Sequence, residues 1–421
     1  MTDTSCPPVP SATALAEVAA IRGAFPALDR RYGGRPVAYF DGPGGTQVPR
    51  PVGEAMLDYL YHHNANTHWH YPSSAETDAM LAEARDTFTA LLGGTAREVV
   101  FGPNMTTLTF HVARGLGREW GPGDEVVVTD LDHHANVAPW RILAEERGIT
   151  IRSVPFRPED GTLDWERFAE VVTPRTRLVA VGAASNALGT VNDLPRAAAF
   201  AKGVGALLFV DAVHGAAHAV FDRVALGADL IVCSPYKFYG PHLGVLSGDE
   251  SLLNRIRIPR LDPAPAEAPE RMETGTQSHE AIVGAAAAVR WLASLVPARD
   301  RPLGARLREA MEGLHQRGEV LCAAMWNGLE GCSGVRLYGP PPGSPRTPTV
   351  GFTVDGVSST RVAEVLAGQG LFVSHGDFYA ATVVERLGLG EEGLVRVGGA
   401  CYTTRDEVDR LIEGVAGLTR E

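Results

Sequence analysis

Between residues 99 and 234 short apolar runs alternate with longer amphipathic ones. REVVF, DEVVVTD (124–130), ITIRSVPF, RLVAVGAAS (177–185), ALLFVDA (206–212) and ADLIVCS (228–234) read as strands. APWRILAEERG, closed by Gly148, DWERFAEVV and LPRAAAFAKGVG read as the helices between them. Continuous apolar strands alternating with helices predict a parallel sheet covered on both faces. Near residue 300 the pattern changes. GARLREAMEGLHQRGEVLCAAMWNGL has apolar residues at three- to four-residue spacing and predicts a long helix. A Pro- and Gly-rich loop, GPPPGSPRTP, separates it from a strand (TVGFTVDG), a helix (SSTRVAEVLAGQG), two strands (LFVSHG and GLVRVGG) and a last helix, TRDEVDRLIEGVAGL. The expected organisation is an N-terminal segment, 1–50, packing with a small domain at 301–421, and a large domain at 51–300.

Composition narrows the class. The 421 residues are 45% apolar and 21% charged, an ordinary globular balance. The formal net charge of -12 speaks against a nucleic-acid surface or an anionic membrane partner. The five cysteines form no C-x-x-C pair, so neither a zinc ribbon nor a disulfide framework is visible and a reducing, cytoplasmic setting is expected. The first residues, MTDTSCPPVPSATALAEVAA, have no basic stretch followed by an apolar core, and no apolar run reaches about 18 residues, so neither a secretory signal nor a membrane span is expected.

Open α/β sheets bind ligands at the carboxyl ends of their strands. The residues leaving each predicted strand are GPNMTTLTF, LDHHANVAPW, SNALGTVN, DAVH and SPYKFYGPH. Asp211 ends an apolar strand, where a carboxylate either caps the next helix or is buried with a partner. Lys237 leaves the next strand between Tyr236 and Phe238. Of 38 basic residues only Lys202 and Lys237 are lysines. A surface lysine covering apolar area would serve equally as arginine; a partly desolvated amine that must become neutral and nucleophilic would not. An aspartate and a lysine at adjacent strand ends fit pyridoxal phosphate (PLP), the aspartate keeping the pyridine nitrogen protonated. GPNMTT runs from a strand into a helix, offering backbone N–H groups and the Thr106 hydroxyl to a phosphate.

The ordered set YFDGPGGTQVP, FGPNMTTLTF, DHHANVAPW, SNALGT, VDAVH, SPYKFYGPHLG, TGTQ and LVRVG resembles class V aminotransferases of PLP fold type I, and within them the cysteine-desulfurase-like and isopenicillin-N-epimerase-like proteins. The resemblance covers nearly the whole chain. It implies an α/β fold, with a mostly parallel seven-stranded sheet between helices in the large domain and a smaller α/β C-terminal domain. It implies Lys237 as the Schiff-base lysine and proton carrier, Asp211 as the partner of the pyridine nitrogen and His133 as the imidazole stacked on the ring. Asn186 and His214 fall near the phenolic oxygen, His214 where the desulfurases usually have glutamine. Asn104, Met105, Thr106, Ser234 and Tyr236 match the phosphate cup, Tyr236 in place of a histidine. Thr276 matches a phosphate contact supplied by a neighbouring subunit, which implies a homodimer with shared active sites. Arg396 matches the arginine that takes the substrate α-carboxylate, and Gly44 and Gly45 border the substrate.

One departure bears on the reaction. The desulfurases carry a nucleophilic cysteine on a loop shortly before this arginine, whereas VSHGDFYAATVVERLGLGEEGLVR contains none. Cys401, five residues after Arg396, reads as core. Persulfide formation is therefore not expected. The leading expectation is a PLP enzyme on an amino-acid substrate that cleaves the C–S bond of an S-substituted cysteine by β-elimination, in a natural-product setting with which the heavy Ala, Gly, Arg and Pro usage is consistent. Decarboxylation-linked oxidative deamination, transamination and epimerisation are alternatives, and a binding protein without catalysis comes last. In NANTHWHYPSSAETD, the cluster of His68, Trp69, His70 and Tyr71 is either a loop packing its own aromatics or a wall facing substrate; no further ligands accompany the H-x-H pair, so no metal is assigned. His375 and Asp377 in SHGDFYA are similar candidates.

Overall fold

The computed structural model describes residues 15–297 and 299–418. Its larger sheet has seven strands: β1 (Val99–Gly102), β2 (Glu125–Thr129), β3 (Thr150–Val154), β4 (Thr176–Gly182), β5 (Leu207–Asp211), β6 (Leu230–Cys233) and β7 (Gly244–Gly248). They lie in the order β1-β7-β6-β5-β4-β2-β3. β7 runs antiparallel to both β1 and β6, and every other neighbouring pair is parallel. Every residue of β1, β2, β6 and β7 is buried, which explains why these strands read as apolar runs without alternation. The strand order reverses between β2 and β4, so the crevice at their carboxyl ends is the expected ligand position.

Helices cover both faces. α1 (Arg50–Asp58), α2 (Pro72–Leu92), α3 (Met105–Leu116), α4 (Ala138–Arg147), α5 (Leu194–Val204) and α6 (His279–Ala293) belong to this layer. α6, HEAIVGAAAAVRWLA, is buried on nearly every side. Its alanines let α1 and α2 approach its backbone closely, a use of alanine that an amphipathic pattern does not reveal.

α7 (Leu303–Glu330) leads into a four-stranded antiparallel sheet of β8 (Val335–Tyr338), β9 (Thr349–Val354), β10 (Ser374–Gly376) and β11 (Leu394–Gly398), in the order β8-β9-β11-β10. α8 (Ser359–Gly368) and α9 (Arg405–Leu418) pack on it. The expected strand LFVSHG is divided: Leu371–Phe372 pairs with Ala38–Tyr39, and only Ser374–Gly376 joins the sheet. That small pairing ties the segment before residue 50 to the C-terminal unit and sets the next residues, Asp41 to Gly45, beside Lys237 and Arg396. Among the described residues no helix is long and apolar enough to cross a membrane.

Candidate active site

Asp211 is the last residue of β5, flanked by Gly182 on β4 and Val232 on β6. Its carboxylate accepts one hydrogen bond, from Val213 N at 2.8 Å. Burial raises its pKa to about 6, against the opposing pull of the Val213 N–H and the Lys237 charge. A carboxylate held this way at the floor of a cavity suits a cationic N–H donor from a ligand. Lys237, two residues past the Pro235 that opens a short turn after β6, is 8% exposed. Desolvation and then the Arg396 charge lower its pKa to about 7. Its Nζ donates to Pro43 O at 2.6 Å and Gly44 O at 2.8 Å and lies 5.0 Å from the centre of the Tyr236 ring.

The same cavity is lined by Asn104, Met105, Thr106, His133, Asn186, His214, Ser234 and Tyr236. Asn104 caps α3: its Oδ1 accepts from Thr107 N at 2.8 Å. The N–H groups of the first turn of this twelve-residue helix lie next to the hydroxyls of Thr106 and Ser234, a donor set that fits a phosphate. The closeness is structural: a Cβ on Gly244 would fall 2.4 Å from Asn104 C and 2.8 Å from Met105 N. His133 is held neutral, with burial and then the Lys237 charge lowering its pKa to about 4. His214 is likewise held well below its ordinary range by burial, and its Nε2 contacts Thr347 Oγ1 at 2.9 Å and Thr349 Oγ1 at 3.2 Å. Asn186 turns its Nδ2 to Phe378 O at 3.0 Å and leaves Oδ1 buried with no partner. That orphaned oxygen, the singly bonded Asp211 carboxylate and the open donors at α3 fit an aromatic cofactor with a ring N–H at one end and a phosphate at the other.

Arg396, on β11, reaches the cavity through Asn186, one of the residues that line it. Its Nε donates to Ser374 Oγ at 3.2 Å, Nη1 to Asn186 O at 3.0 Å and Nη2 to Asp41 Oδ1 at 3.2 Å. Burial lowers its pKa to about 10, opposed by Asp41, so it remains a cation. Phe378 covers the guanidinium, its ring centre 4.0 Å from Cζ. Gly44 and Gly45 lie close by, Gly44 through its carbonyl on Lys237 and Gly45 against the Tyr236 ring.

Other expected residues stand elsewhere. His68 and Thr276 line a separate cavity of about 800 Å³ with Trp69, Gln277 and Arg85. His70, Tyr71 and His375 are exposed; His375 contacts Thr360 Oγ1 at 3.4 Å and lies outside both cavities. Among the described residues no cluster of three or more His, Cys, Asp or Glu side chains could hold a metal ion.

Four residues of this region, Asp132, Asp41, Phe378 and Tyr379, are not among the sequence-based candidates. Asp132 is 4% exposed in the floor of the cavity and accepts from Gly182 N at 2.6 Å. Burial and then the neighbouring Asp211 charge raise its pKa well above the carboxylate range. Its signal was its position at the exit of β2, directly before His133. Asp41, Phe378 and Tyr379 had no such signal, because they sit in loops.

A family model described as Aminotransferase class-V matches residues 38–411. The cysteine desulfurase of Serratia proteamaculans is 30% identical over 419 residues, covering 95% of this chain and 98% of that protein. A probable cysteine desulfurase of Halobacterium salinarum is 32% identical, with 95% and 96% covered. The structure of an apo cysteine desulfurase from Thermococcus onnurineus NA1 superposes with a TM-score of 0.86 at 26% identity, covering 96% of this chain and 98% of that one.

Proposed function

The chain belongs to the class V aminotransferases, a family of PLP-dependent enzymes, and we propose that it is a lyase that cleaves the C–S bond of an S-substituted cysteine by β-elimination. The observation that carries this reading is a cavity equipped for an amino acid and lined, among the described residues, by no thiol. Cys233, Cys322, Cys332 and Cys401 are all buried, and burial raises the Cys401 thiol to about 12, far from a thiolate at neutral pH. The loop after β10, where the desulfurases carry their cysteine, presents Phe378 and Tyr379 instead.

PLP, when bound, supplies an electron sink for the pair left on the substrate α-carbon. The chain's own residues hold and direct it. Asp211 would receive the ring N–H, the first turn of α3 with Thr106 and Ser234 would hold the phosphate, and His133, held neutral by burial, would lie against the ring. Arg396 takes the substrate carboxylate and so fixes which bond of the α-carbon stands over the ring. Lys237, whose pKa burial and the Arg396 charge bring down to about 7, would take the α-proton and hand it to the departing sulfur. With no thiol among the described residues that line the cavity, the substituted sulfur would leave the β-carbon with that proton as a thiol, and the remaining enamine would hydrolyse to pyruvate and ammonia.

The test is a set of S-substituted cysteines assayed for pyruvate, ammonia, thiol and carbon dioxide. Equal yields of pyruvate and thiol are expected. Carbon dioxide, or ammonia without thiol, would replace β-elimination by decarboxylation-linked deamination on the same residues.

A further inference from the structure

The loop that follows β10 is built as a rigid aromatic wall. Phe378 and Tyr379 both have left-handed backbones, with φ of 56° and 57°, a conformation that bulky side chains rarely adopt. The surroundings hold them there. Asn186 Nδ2 donates to Phe378 O at 3.0 Å and His134 N to Tyr379 O at 2.7 Å, while Tyr379 N donates to Asp377 Oδ1 at 2.9 Å. Ala380, the next residue, is fully buried. The strained pair places one ring over Arg396 and the other beside His133, with the Tyr379 and His133 ring centres 5.5 Å apart and their planes tilted by 36°. Tyr379 is nevertheless 73% exposed. The fold thus spends backbone strain to hold a large aromatic surface open to solvent between the residue that takes the carboxylate and the residue that covers the cofactor.

We propose that Phe378 and Tyr379 set the substrate class: an amino acid whose side chain ends in an aromatic or bulky apolar group, for the proposed reaction a cysteine with such a group on sulfur. This rests on the reading of the cavity as an amino-acid site with Arg396 at the carboxylate. A substrate anchored by its carboxylate beneath the Phe378 ring sends its side chain along Phe378 towards Tyr379. A small polar side chain would leave both rings wet, whereas an apolar ring covers them and stacks against surfaces already fixed in place.

Carboxylates without an amino group cannot react with the cofactor, so they test the wall apart from the chemistry. Propanoate and 3-phenylpropanoate are titrated into the cofactor-loaded enzyme by calorimetry. The phenyl compound is expected to bind about tenfold more tightly. Tyr379→Asn removes the ring with a residue that accepts the left-handed backbone, and is expected to reduce that ratio several-fold. Tyr379→Phe is expected to retain it, and the cofactor's visible band confirms in each variant that the site is assembled. Equal affinity for the two compounds, or a ratio unchanged in Tyr379→Asn, overturns the proposal. Failure of β-elimination in the product assay would leave this result standing, so the two readings fail separately.

Discussion

Lys237 is one of two lysines and the one the fold buries. Only a neutral amine bonds to an aldehyde, and its pKa of about 7 sets the pH at which that form appears. Capture of PLP by the apoprotein is therefore expected to quicken as pH rises through about 7 and to level off above it, measured by borohydride reduction and mass spectrometry; a flat profile, or attachment surviving in Lys237→Ala, would reject this role. The linked stability has the same sign. The unfolded chain holds the proton up to its ordinary 10.5, so between about 7 and 10.5 it binds more protons than the folded apoprotein, whose stability rises with pH across that window. Arg396 makes an opposed pair of predictions. All three of its nitrogens are engaged, and the partner most open to solvent is Asp41, whose side chain is 45% exposed. If Arg396 takes the substrate carboxylate as proposed, that carboxylate is expected to displace Asp41. Asp41→Asn is expected to tighten propanoate binding a few-fold, whereas Arg396→Ala weakens it roughly 10- to 100-fold with the cofactor band intact. Weaker binding in Asp41→Asn would make Asp41 a support for the guanidinium instead of a competitor. The ends of apolar strands made Asp211, Lys237, His133 and Asn186 legible in the sequence. Asp41, Phe378 and Tyr379 were not, because a loop has no periodicity and its contacts come from distant segments.

At the scale of elements, the strands buried on both faces were read at nearly their observed limits, since an apolar run bounded by glycine and polar residues has few other structures open to it. β7 was not read. GVLSG is short, with a glycine at each end, and its pattern does not reveal that it lies antiparallel between β1 and β6. Those glycines have a positional purpose. Gly244 lets β7 pass directly under the start of α3, where backbone atoms of Asn104 and Met105 stand 2.4 to 2.8 Å from the place of a Cβ. No rotamer change can relieve a clash with backbone. Gly244→Ala is therefore expected to push the first turn of α3 out of position and to raise the dissociation constant for PLP at least about tenfold, in line with about 1–3 kcal/mol for an overpacked site. Far-UV circular dichroism should stay unchanged while a PLP titration shows the loss. Unaltered cofactor affinity would mean that the helix start is not the phosphate site.

The whole molecule poses a question that its strand pattern could not answer: which chain some of the site residues serve. HWHY was open between a self-packing loop and a substrate wall, and TGTQ pointed to a neighbour's phosphate only through the resemblance; His68 and Thr276 meet in a cavity of about 800 Å³ apart from Lys237. The surface beside it is unusually apolar. Leu57, Leu60, Tyr61, Trp69 and Tyr71 are 42–74% exposed within fifteen residues that run from the end of α1 to the start of α2. Isolated exposed apolar residues are ordinary, but five within fifteen residues, one of them, Trp69, lining the cavity, suit a surface that a partner covers. We propose that a second copy of the chain accounts for both features: it would cover these side chains and carry Thr276 to the phosphate of its neighbour. Light scattering is then expected to give twice the mass of the chain. Replacing Leu60 and Tyr61 together by glutamate should yield monomers that bind PLP weakly, whereas Thr276→Ala should lower PLP affinity without changing the mass. A wild-type monomer that holds its cofactor tightly would remove Thr276 from the site and leave each chain's cavity complete in itself.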